Sequence, residues 1–511
     1  MTELIITGRD LRVSDVLNFE QQRPHLMLAD DARQRMRASV ETVRRAVKTD
    51  EPRYGINTGF GAFANTRISP EQVEELQYNL VRSHAAGVAE PLPAMLVRRL
   101  MLLKANNLAA GYSGIRPQVV ETLLALLNED VLPIVPSRGS VGASGDLAPL
   151  AHLALALIGE GEAHLGERVL VGHDVLTKAQ CEPVTLQAKE GLALLNGTQA
   201  SAALAMTGIE QADRLLATAI LAGALSVEGL AGSFAPFDAR IHDARGLTGQ
   251  KRVAALFRGL LSESQIHSGH AACDRVQDPY SVRCMPQVLG AIWDTLRHAS
   301  QVLAAECNGV TDNPLIFGDD VISGGNFHAE PLAFICDFAA IAVAEIGSMS
   351  ERRIDLLVRR VNPGLTMFLT QEPGLESGMM IAHVTAAALC SENKTLAHPA
   401  SVDSIPTSAG QEDHVSMAPW AGFKLLDICA NTARILAIEL LAGALAVDVQ
   451  SPSTTTAELQ ALHHQIRDRV PRIRGDHRLD GEIAEITRWV LDGSMLGLLP
   501  EGSTGAVADF N

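Results

Sequence analysis

The chain has 511 residues, of which 47% are hydrophobic, and a formal net charge of −17 at pH 7. This apolar fraction is typical of a globular protein with a large core. The acidic balance and the lack of a basic stripe argue against nucleic acid and against a membrane surface as partners. Seven scattered cysteines without a Cys-x-x-Cys pair favour reduced thiols and a cytoplasmic protein without a zinc ribbon.

The N-terminal part alternates short elements with glycine-rich loops. The pattern predicts a strand at 4–6, and Ser14 is expected to cap the first helix. A small hairpin is predicted at 160–175, where glycines mark the turns. Amphipathic or apolar periodicity predicts helices at 30–48, 70–83, 93–110 and 117–129.

One loop of this region, residues 139–149, contains the tripeptide Ala143-Ser144-Gly145. Its glycines allow the backbone to fold back tightly, so the Gly145 amide nitrogen can approach the Ala143 carbonyl carbon. Ring closure with loss of two waters, one from the Ser144 side chain, would give a methylidene-imidazolone, a strong electrophile. The alternative is an ordinary flexible loop, with Asp146 capping a helix that begins near Leu147.

Long helices dominate the remainder of the chain. They are predicted at 197–230, 286–306, 330–357, 375–396 and 417–449, with a short hairpin at 315–322. Helices near thirty residues favour packing in a large bundle. The apolar run Leu215–Gly232 contains Glu228, so we interpret it as a buried core helix and not as a membrane span.

The predicted fold class is therefore mainly α. A long central helix bundle is expected at 196–450, and a smaller mixed N-terminal region at 1–195 carries the Ala-Ser-Gly loop. Shorter helices are expected in a C-terminal segment at 451–511.

Two tyrosines in polar loops are candidates for proton transfer. Tyr54 opens the stretch Tyr54-Gly-Ile-Asn-Thr-Gly-Phe-Gly61, and Tyr280 lies three residues before Arg283. A tyrosine can act as general acid or base if its surroundings lower its phenol pKa. A guanidinium beside it could hold a substrate carboxylate with two hydrogen bonds. Taken singly, each tyrosine is more often a packed residue whose hydroxyl is satisfied.

Other polar clusters interrupt apolar surroundings. Asn196 precedes a long predicted helix whose free N–H groups suit an anion, and His84 ends another helix. Gln411 and Glu412 stand before the last long helix. Ordinary helix capping is the alternative for each cluster. No paired metal-ligand spacing, nucleophile elbow or phosphate loop is present in the sequence, so no metal is predicted.

Considered together, these motifs resemble those of the aromatic amino acid ammonia-lyases, in the same order and over nearly the whole chain. The resemblance is closest to the branch that acts on histidine, through Ser83-His84-Ala-Ala-Gly87 and the Gln411-Glu412 pair. The other motifs that carry it are Tyr54–Gly61, Gly139–Leu150, Leu194–Gln199, Gln277–Arg283, Gly324–Glu330 and Ser408–Ser416.

The resemblance implies that Ala143, Ser144 and Gly145 form the methylidene-imidazolone autocatalytically, without an external cofactor. It implies a mostly helical homotetramer whose active sites combine residues from more than one subunit. It also implies an amino acid substrate, with elimination of ammonia from L-histidine to give trans-urocanate.

The resemblance also assigns roles to individual residues. Tyr54 is expected to remove a β-proton, and Arg283 to bind the carboxylate. Asn196 and Tyr280 would steady the ring or the amino group. The remaining substrate-binding candidates are His84 and Glu412, which would face the imidazole, together with Phe327, Gln277 and Gln411.

Several positions depart from the family pattern. Gly410 stands where Asn is usual, Met285 and His383 where Gln is frequent, and Ala89 where Gly is common. Met380 fits the histidine branch. The departures leave two alternatives open: a lyase or 2,3-aminomutase acting on another aromatic amino acid such as tyrosine or phenylalanine, and a catalytically silent homologue.

Overall fold

The computed structural model describes residues 2–266, 276–359, 364–450, 453–472 and 474–499. Helices dominate these residues, which confirms the mainly α fold class. The helices are α1 Val13–Gln22, α2 Asp30–Val47, α3 Val73–His84, α4 Ala94–Ala109, α5 Pro117–Asn128, α6 Leu147–Leu157, α7 His173–Lys178, α8 Glu190–Leu195, α9 Gln199–Gly229, α10 Ala239–Arg245, α11 Thr248–Leu261, α12 Tyr280–Arg283, α13 Met285–Glu306, α14 Glu330–Val358, α15 Met380–Leu396, α16 Ala418–Val449, α17 Ala457–Arg469 and α18 Asp480–Leu491.

The strands form small sheets at the edges of the helical body. They are β1 Glu3–Ile6, β2 His25–Leu28, β3 Val88–Pro91, β4 Leu132–Pro133, β5 Pro136–Arg138, β6 Glu162–Leu165, β7 Arg168–Val171, β8 Leu315–Phe317 and β9 Asp320–Ile322. β1 pairs with β2 in parallel, whereas the pairs β3–β5, β4–β6, β6–β7 and β8–β9 are antiparallel. The hairpins predicted near residues 160–175 and 315–322 are therefore confirmed.

The long helices α9, α14 and α16 pack against one another at the centre, with α13 and α15 beside them. Small residues allow this close approach. A Cβ added to Gly422 of α16 would lie 2.7 Å from the Leu204 Cβ of α9, and one added to Gly208 would lie 2.5 Å from Leu425 Cδ2. The many alanines and glycines of these helices therefore bring their backbones together, and large side chains fill the remaining space.

The apolar run Leu215–Gly232 is confirmed as a core helix, because nearly all of its residues are buried in α9 and the turn after it. Among the described residues, α14 has the length and composition to cross a membrane, but 67% of its most apolar 18-residue window is buried inside the protein. One continuous hydrophobic core contains side chains from Ile6 to Leu499. The three-part division of the chain stays a prediction.

Among the helix starts that differ from the sequence prediction, those of α1 and α15 have an identifiable cause. Ser14 does not cap α1, because the helix begins at Val13, two residues before the start that a Ser14 cap implies, and Arg12 occupies the N-cap, paired with Asp15. α15 begins at Met380 and not near residue 375. Gly378 has a left-handed φ of +52°, and the Asp476 carboxylate accepts its amide and that of the residue before it. This turn stops the helix from extending towards its N-terminus.

Candidate active site

A cavity of about 1040 Å³ collects most of the residues singled out in the sequence. Its walls come from the loop after α2, the end of α3, the Ala-Ser-Gly loop and the segments that precede α9, α14 and α16. The predicted site residues that line it are Tyr54, His84, Ala143, Ser144, Asn196, Phe327, Gln411 and Glu412. Gly145 is buried next to this lining.

The Ala-Ser-Gly loop is held on both sides by backbone that approaches its glycines closely. Gly142 and Gly145 have φ of +65° and +69°. A Cβ at Gly145 would lie 2.1 Å from the Gly197 carbonyl oxygen, and one at Gly142 would lie 2.3 Å from Ser416 Oγ. Side chains are excluded at both positions by conformation and by space. The loop is therefore a tight, clamped turn and not a flexible connection.

Asp146 anchors the loop to α9. Its carboxylate accepts the Ser201 amide at 2.7 Å and the Ser201 hydroxyl at 2.8 Å, and its own amide donates to the Gly197 carbonyl at 2.7 Å. Asp146 precedes α6 but makes no side-chain hydrogen bond that caps it, in contrast to the alternative of an ordinary capped loop. Burial raises the pKa of Asp146, while these hydrogen bonds act to lower it. An N–H in the first turn of α9, which we expected to be free for an anion, is thus used by the protein's own carboxylate.

The Ser144 hydroxyl points to Glu412. It donates to Glu412 Oε1 at 2.7 Å, and the other carboxylate oxygen accepts the Thr407 hydroxyl at 2.6 Å. Ser144 and Glu412 are 268 positions apart in the sequence. The loop before α16 therefore places a carboxylate against the Ala-Ser-Gly tripeptide.

Tyr54 and His84 also face the carboxylate of Glu412. The Tyr54 hydroxyl accepts the Gly61 amide at 3.3 Å. Burial raises the pKa of Tyr54, and the negative charge of Glu412 adds to this effect. Burial lowers the pKa of His84, whose Nδ1 lies 2.8 Å from the Leu80 carbonyl oxygen. Within a single chain, the phenol and the imidazole are thus both held towards their neutral forms.

A buried charge cluster behind Asn196 was missed in the sequence. Lys104 is fully buried, and its Nζ donates to the Asn196 carbonyl at 2.7 Å. The Asn196 amide donates to Asp312, which forms a 2.6 Å ion pair with fully buried Lys189. The available signal was the lone Lys104 within an apolar helix, because lysines are almost never fully buried without partners.

The segment Gln277–Arg283 does not line the cavity. Gln277 is exposed, and the Tyr280 side chain is 71% exposed at the surface. The Arg283 guanidinium lies 4.7 Å from the centre of the Tyr280 ring, so these two residues do share one location. Buried Arg353 supports their short helix α12, through an Nη1 contact of 3.4 Å to the Ser281 carbonyl.

The departures from the family pattern occupy different surroundings. Gly410 has φ of +84° with open space where a side chain would be, so Asn could be accommodated there. Ala89 has φ of +71°, which explains why glycine suits that position. Met285 is buried against Gly223 of α9, and His383 contacts Glu351 at 2.8 Å. Neither Met285 nor His383 lines the cavity.

Among the described residues, one group of potential metal ligands lies at the cavity edge: His328, Glu330 and His414. His328 Nε2 contacts the His414 carbonyl oxygen at 3.2 Å, and His328 Nδ1 accepts the Glu330 amide at 3.3 Å. Both ring nitrogens of His328 are therefore engaged with the backbone, and the group forms a hydrogen-bonded support for the loop before α14.

Comparisons with known proteins agree with this geometry. A model of the aromatic amino acid lyase family matches residues 11–468. Histidine ammonia-lyase of Burkholderia vietnamiensis is 52% identical over 500 residues, which cover 97% of this chain and 98% of that protein. The crystal structure of histidine ammonia-lyase from Trypanosoma cruzi has a TM-score of 0.90 and 38% identity, covering 98% of this chain and 97% of that one. Tyrosine aminomutase from Streptomyces globisporus has a TM-score of 0.91 and 34% identity, covering 100% and 99%. This chain belongs to the aromatic amino acid lyase family.

Proposed function

We propose that this chain is a histidine ammonia-lyase, which eliminates ammonia from L-histidine to give trans-urocanate. The observation that carries the proposal is the single cavity that joins Ser144 of the Ala-Ser-Gly loop to Tyr54, His84 and Glu412. The 52% identity to a curated histidine ammonia-lyase over nearly the full length supports the same substrate.

We also propose that Ala143, Ser144 and Gly145 become a methylidene-imidazolone. The residues present fit this group in three respects. The loop is held in a tight turn at Gly145. The Gly145 amide nitrogen makes no hydrogen bond within the part of the chain that the structure describes. Buried Asn196 Oδ1 has no partner among these residues and so remains available to the ring or the substrate. When formed, the ring would supply an electrophilic methylidene carbon for the substrate amine.

Tyr54 is the proposed base for the β-proton of the substrate. Its hydroxyl lies in the cavity wall, but burial and the charge of Glu412 raise its pKa in the single chain. A neighbouring cation is needed to favour the phenolate. Tyr280 is exposed on the surface of this chain and Arg283 is half-buried beside it. The Arg283 guanidinium of a second copy would supply this cation and also bind the substrate carboxylate.

His84 and Glu412 are proposed to hold the imidazole of the substrate. Burial lowers the pKa of His84, so its neutral ring can exchange a hydrogen bond with another imidazole. Glu412 offers carboxylate oxygens to an imidazole N–H. Phe327 lines the same cavity and would pack against the ring. Gln411, another lining residue, and Gln277 from a second copy complete the proposed set.

We propose a homotetramer with shared active sites, and this division of residues between the cavity and the surface supports it. Apolar side chains exposed on one face of α14 support association: Phe334, Phe338 and Ile341 are 44%, 45% and 49% exposed. Their spacing of four and three places them on one stripe of the helix.

Six described cysteines are free thiols, which supports a cytoplasmic location.

The central test measures conjugated product and intact mass with purified protein. Wild-type protein should convert L-histidine into a UV-absorbing acid, and its mass should be two waters below that of the sequence. Ser144→Ala should produce no urocanate and should not undergo both dehydrations. An active Ser144→Ala variant, or a functional wild-type protein of unmodified mass, would contradict the ring.

A second candidate, aminomutation or elimination on tyrosine or phenylalanine, is favoured by the similarity to tyrosine aminomutase at 34% identity. A panel of the three amino acids separates the candidates. We expect Glu412→Gln to lower turnover of histidine specifically, because the carboxylate would face the imidazole. An equal loss on every accepted amino acid would remove that role, and conversion of tyrosine or phenylalanine without histidine would replace the substrate assignment.

A further inference from the structure

The loop that carries Glu412 is closed by the residue at its other end. Thr407 and Glu412 form an isolated antiparallel bridge, in which the Thr407 amide donates to the Glu412 carbonyl at 2.9 Å. Between them, Ser408, Ala409 and Gly410 have left-handed φ values of +50°, +54° and +84°. Such a tight sequence of left-handed residues requires support from its surroundings, and the Thr407–Glu412 bridge provides that support.

The Thr407 side chain makes a second contact with this loop, to the side-chain carboxylate of Glu412. Its hydroxyl donates to Glu412 Oε2 at 2.6 Å, while Oε1 accepts the Ser144 hydroxyl at 2.7 Å. Ring formation, as proposed above, removes the Ser144 hydroxyl as water. Among the described residues, Thr407 is then the one side chain that still donates a hydrogen bond to the Glu412 carboxylate.

From this geometry we infer that Thr407 is a positioning residue for the elimination. Its hydroxyl fixes Oε2 of Glu412 so that Oε1 faces the cavity and can receive the substrate imidazole. The inference rests on the proposed function, and it adds a residue that lies just outside the motifs recognised in the sequence. Thr407 does not itself line the cavity, so it acts through Glu412.

The main experiment compares variants at position 407 in the full-length protein. Thr407→Val removes the hydroxyl and keeps the shape of the side chain. We expect it to lower kcat/KM for L-histidine by about tenfold to hundredfold, the effect of one hydrogen bond to a charged group. Thr407→Ser retains the hydroxyl and should restore most of the rate. Thr295→Val, in a partly exposed helical position with a hydroxyl hydrogen bond to the Ala291 carbonyl of its own helix, controls for the substitution itself.

A double-mutant cycle separates positioning from general structural damage. In a Glu412→Gln background, Thr407→Val should have little further effect, because the carboxylate that it orients is already absent. A full additional loss in that background would overturn the inference, and so would wild-type kcat/KM in Thr407→Val. If Thr407→Val folds poorly, Thr407→Ser and Thr407→Ala repeat the comparison, since only Thr407→Ser has the hydroxyl. Equal rates for these two variants would overturn it.

Intact mass distinguishes this inference from the proposed function. A loss of two waters in Thr407→Val, with reduced turnover, supports a role after ring formation. A variant that is slow only because its ring is incomplete would contradict that role. If wild-type protein neither loses two waters nor releases urocanate, the proposed function fails, and the inference fails with it.

Discussion

Replacement of Lys104 by methionine tests whether burial behind the Ala-Ser-Gly loop destabilises the charged form of this lysine. The lysine is fully buried, and its Nζ donates to the Asn196 carbonyl at 2.7 Å. Burial lowers the pKa of Lys104 from 10.5 to about 7, although Asp312 and Asp146 act in the opposite direction. Methionine has a similar length and no charge, so the Lys104→Met variant removes the titration with little change in volume.

The direction of the effect follows from proton binding. Between the folded pKa of about 7 and the ordinary value of 10.5, the unfolded chain binds one more proton than the folded chain at this site. Stability must then rise with pH across this interval, and its Lys104 contribution is lowest below the folded pKa. At about 1.4 kcal/mol per pKa unit, burying Lys104 in its charged form lowers the free energy of unfolding by about 5 kcal/mol. Between about pH 7 and pH 9, wild-type protein should gain about 2 kcal/mol relative to the variant, because the folded lysine is still half-protonated at the start of this interval.

Denaturation midpoints across this pH range provide the assay, at one protein concentration because association also affects stability. The quantity of interest is the difference in unfolding free energy between wild type and Lys104→Met, since other titrating groups cancel in it. Lys48 is exposed and makes no ion pair among the described residues. Lys48→Met therefore controls for the simple loss of a positive charge. Parallel pH dependences for wild type and Lys104→Met would refute the reasoning.

Two further substitutions address the loop and the proposed base. Gly145→Ala should prevent both water losses in the intact mass, because its Cβ would lie 2.1 Å from the Gly197 oxygen; a fully dehydrated Gly145→Ala protein would show that the clamp is unnecessary. Tyr54→Phe should lose most turnover of histidine while keeping its unfolding temperature, because the hydroxyl accepts a single 3.3 Å amide bond; unchanged turnover would exclude Tyr54 as the base.

The long helices could be predicted from sequence because their limits depend on local signals. α13 ends at Glu306, which is the predicted limit, and α16 begins one residue from the predicted position. The errors occur where distant groups decide the structure. Asp476, nearly one hundred positions away, binds the amides before α15. The Asp146 carboxylate binds the Ser201 amide of α9 and not an amide of α6, the helix that follows it. Sequence reasoning assigns helix caps from adjacent residues, so it could not predict the contacts of Asp476 or of Asp146.

In the candidate site too, the features set by local sequence were predicted and those set by distant residues were not. The motifs identified Tyr54, Ser144 and Glu412 individually, but nothing local indicated that Ser144 would contact Glu412 at 2.7 Å. Lys104 was overlooked because periodicity assigns a lone lysine to the edge of a helix, whereas the fold surrounds it with Asp312, Asp146 and Lys189. Gln277, Tyr280 and Arg283 are the reverse case. Their motif was recognised, yet a single chain leaves them outside the cavity.

The clamps on the Ala-Ser-Gly loop connect its proposed chemistry to the assembly of the bundle. One clamp comes from the segment that leads into α9, through Gly197 and the Ser201 contacts of Asp146. The other comes from the segment that leads into α16, through Ser416, whose hydroxyl donates to the Gly142 carbonyl at 2.8 Å. These segments converge only when α9 and α16 pack together. A ring that needs the Gly145 nitrogen pressed towards Ala143 must therefore close after this packing, because an extended chain has neither clamp.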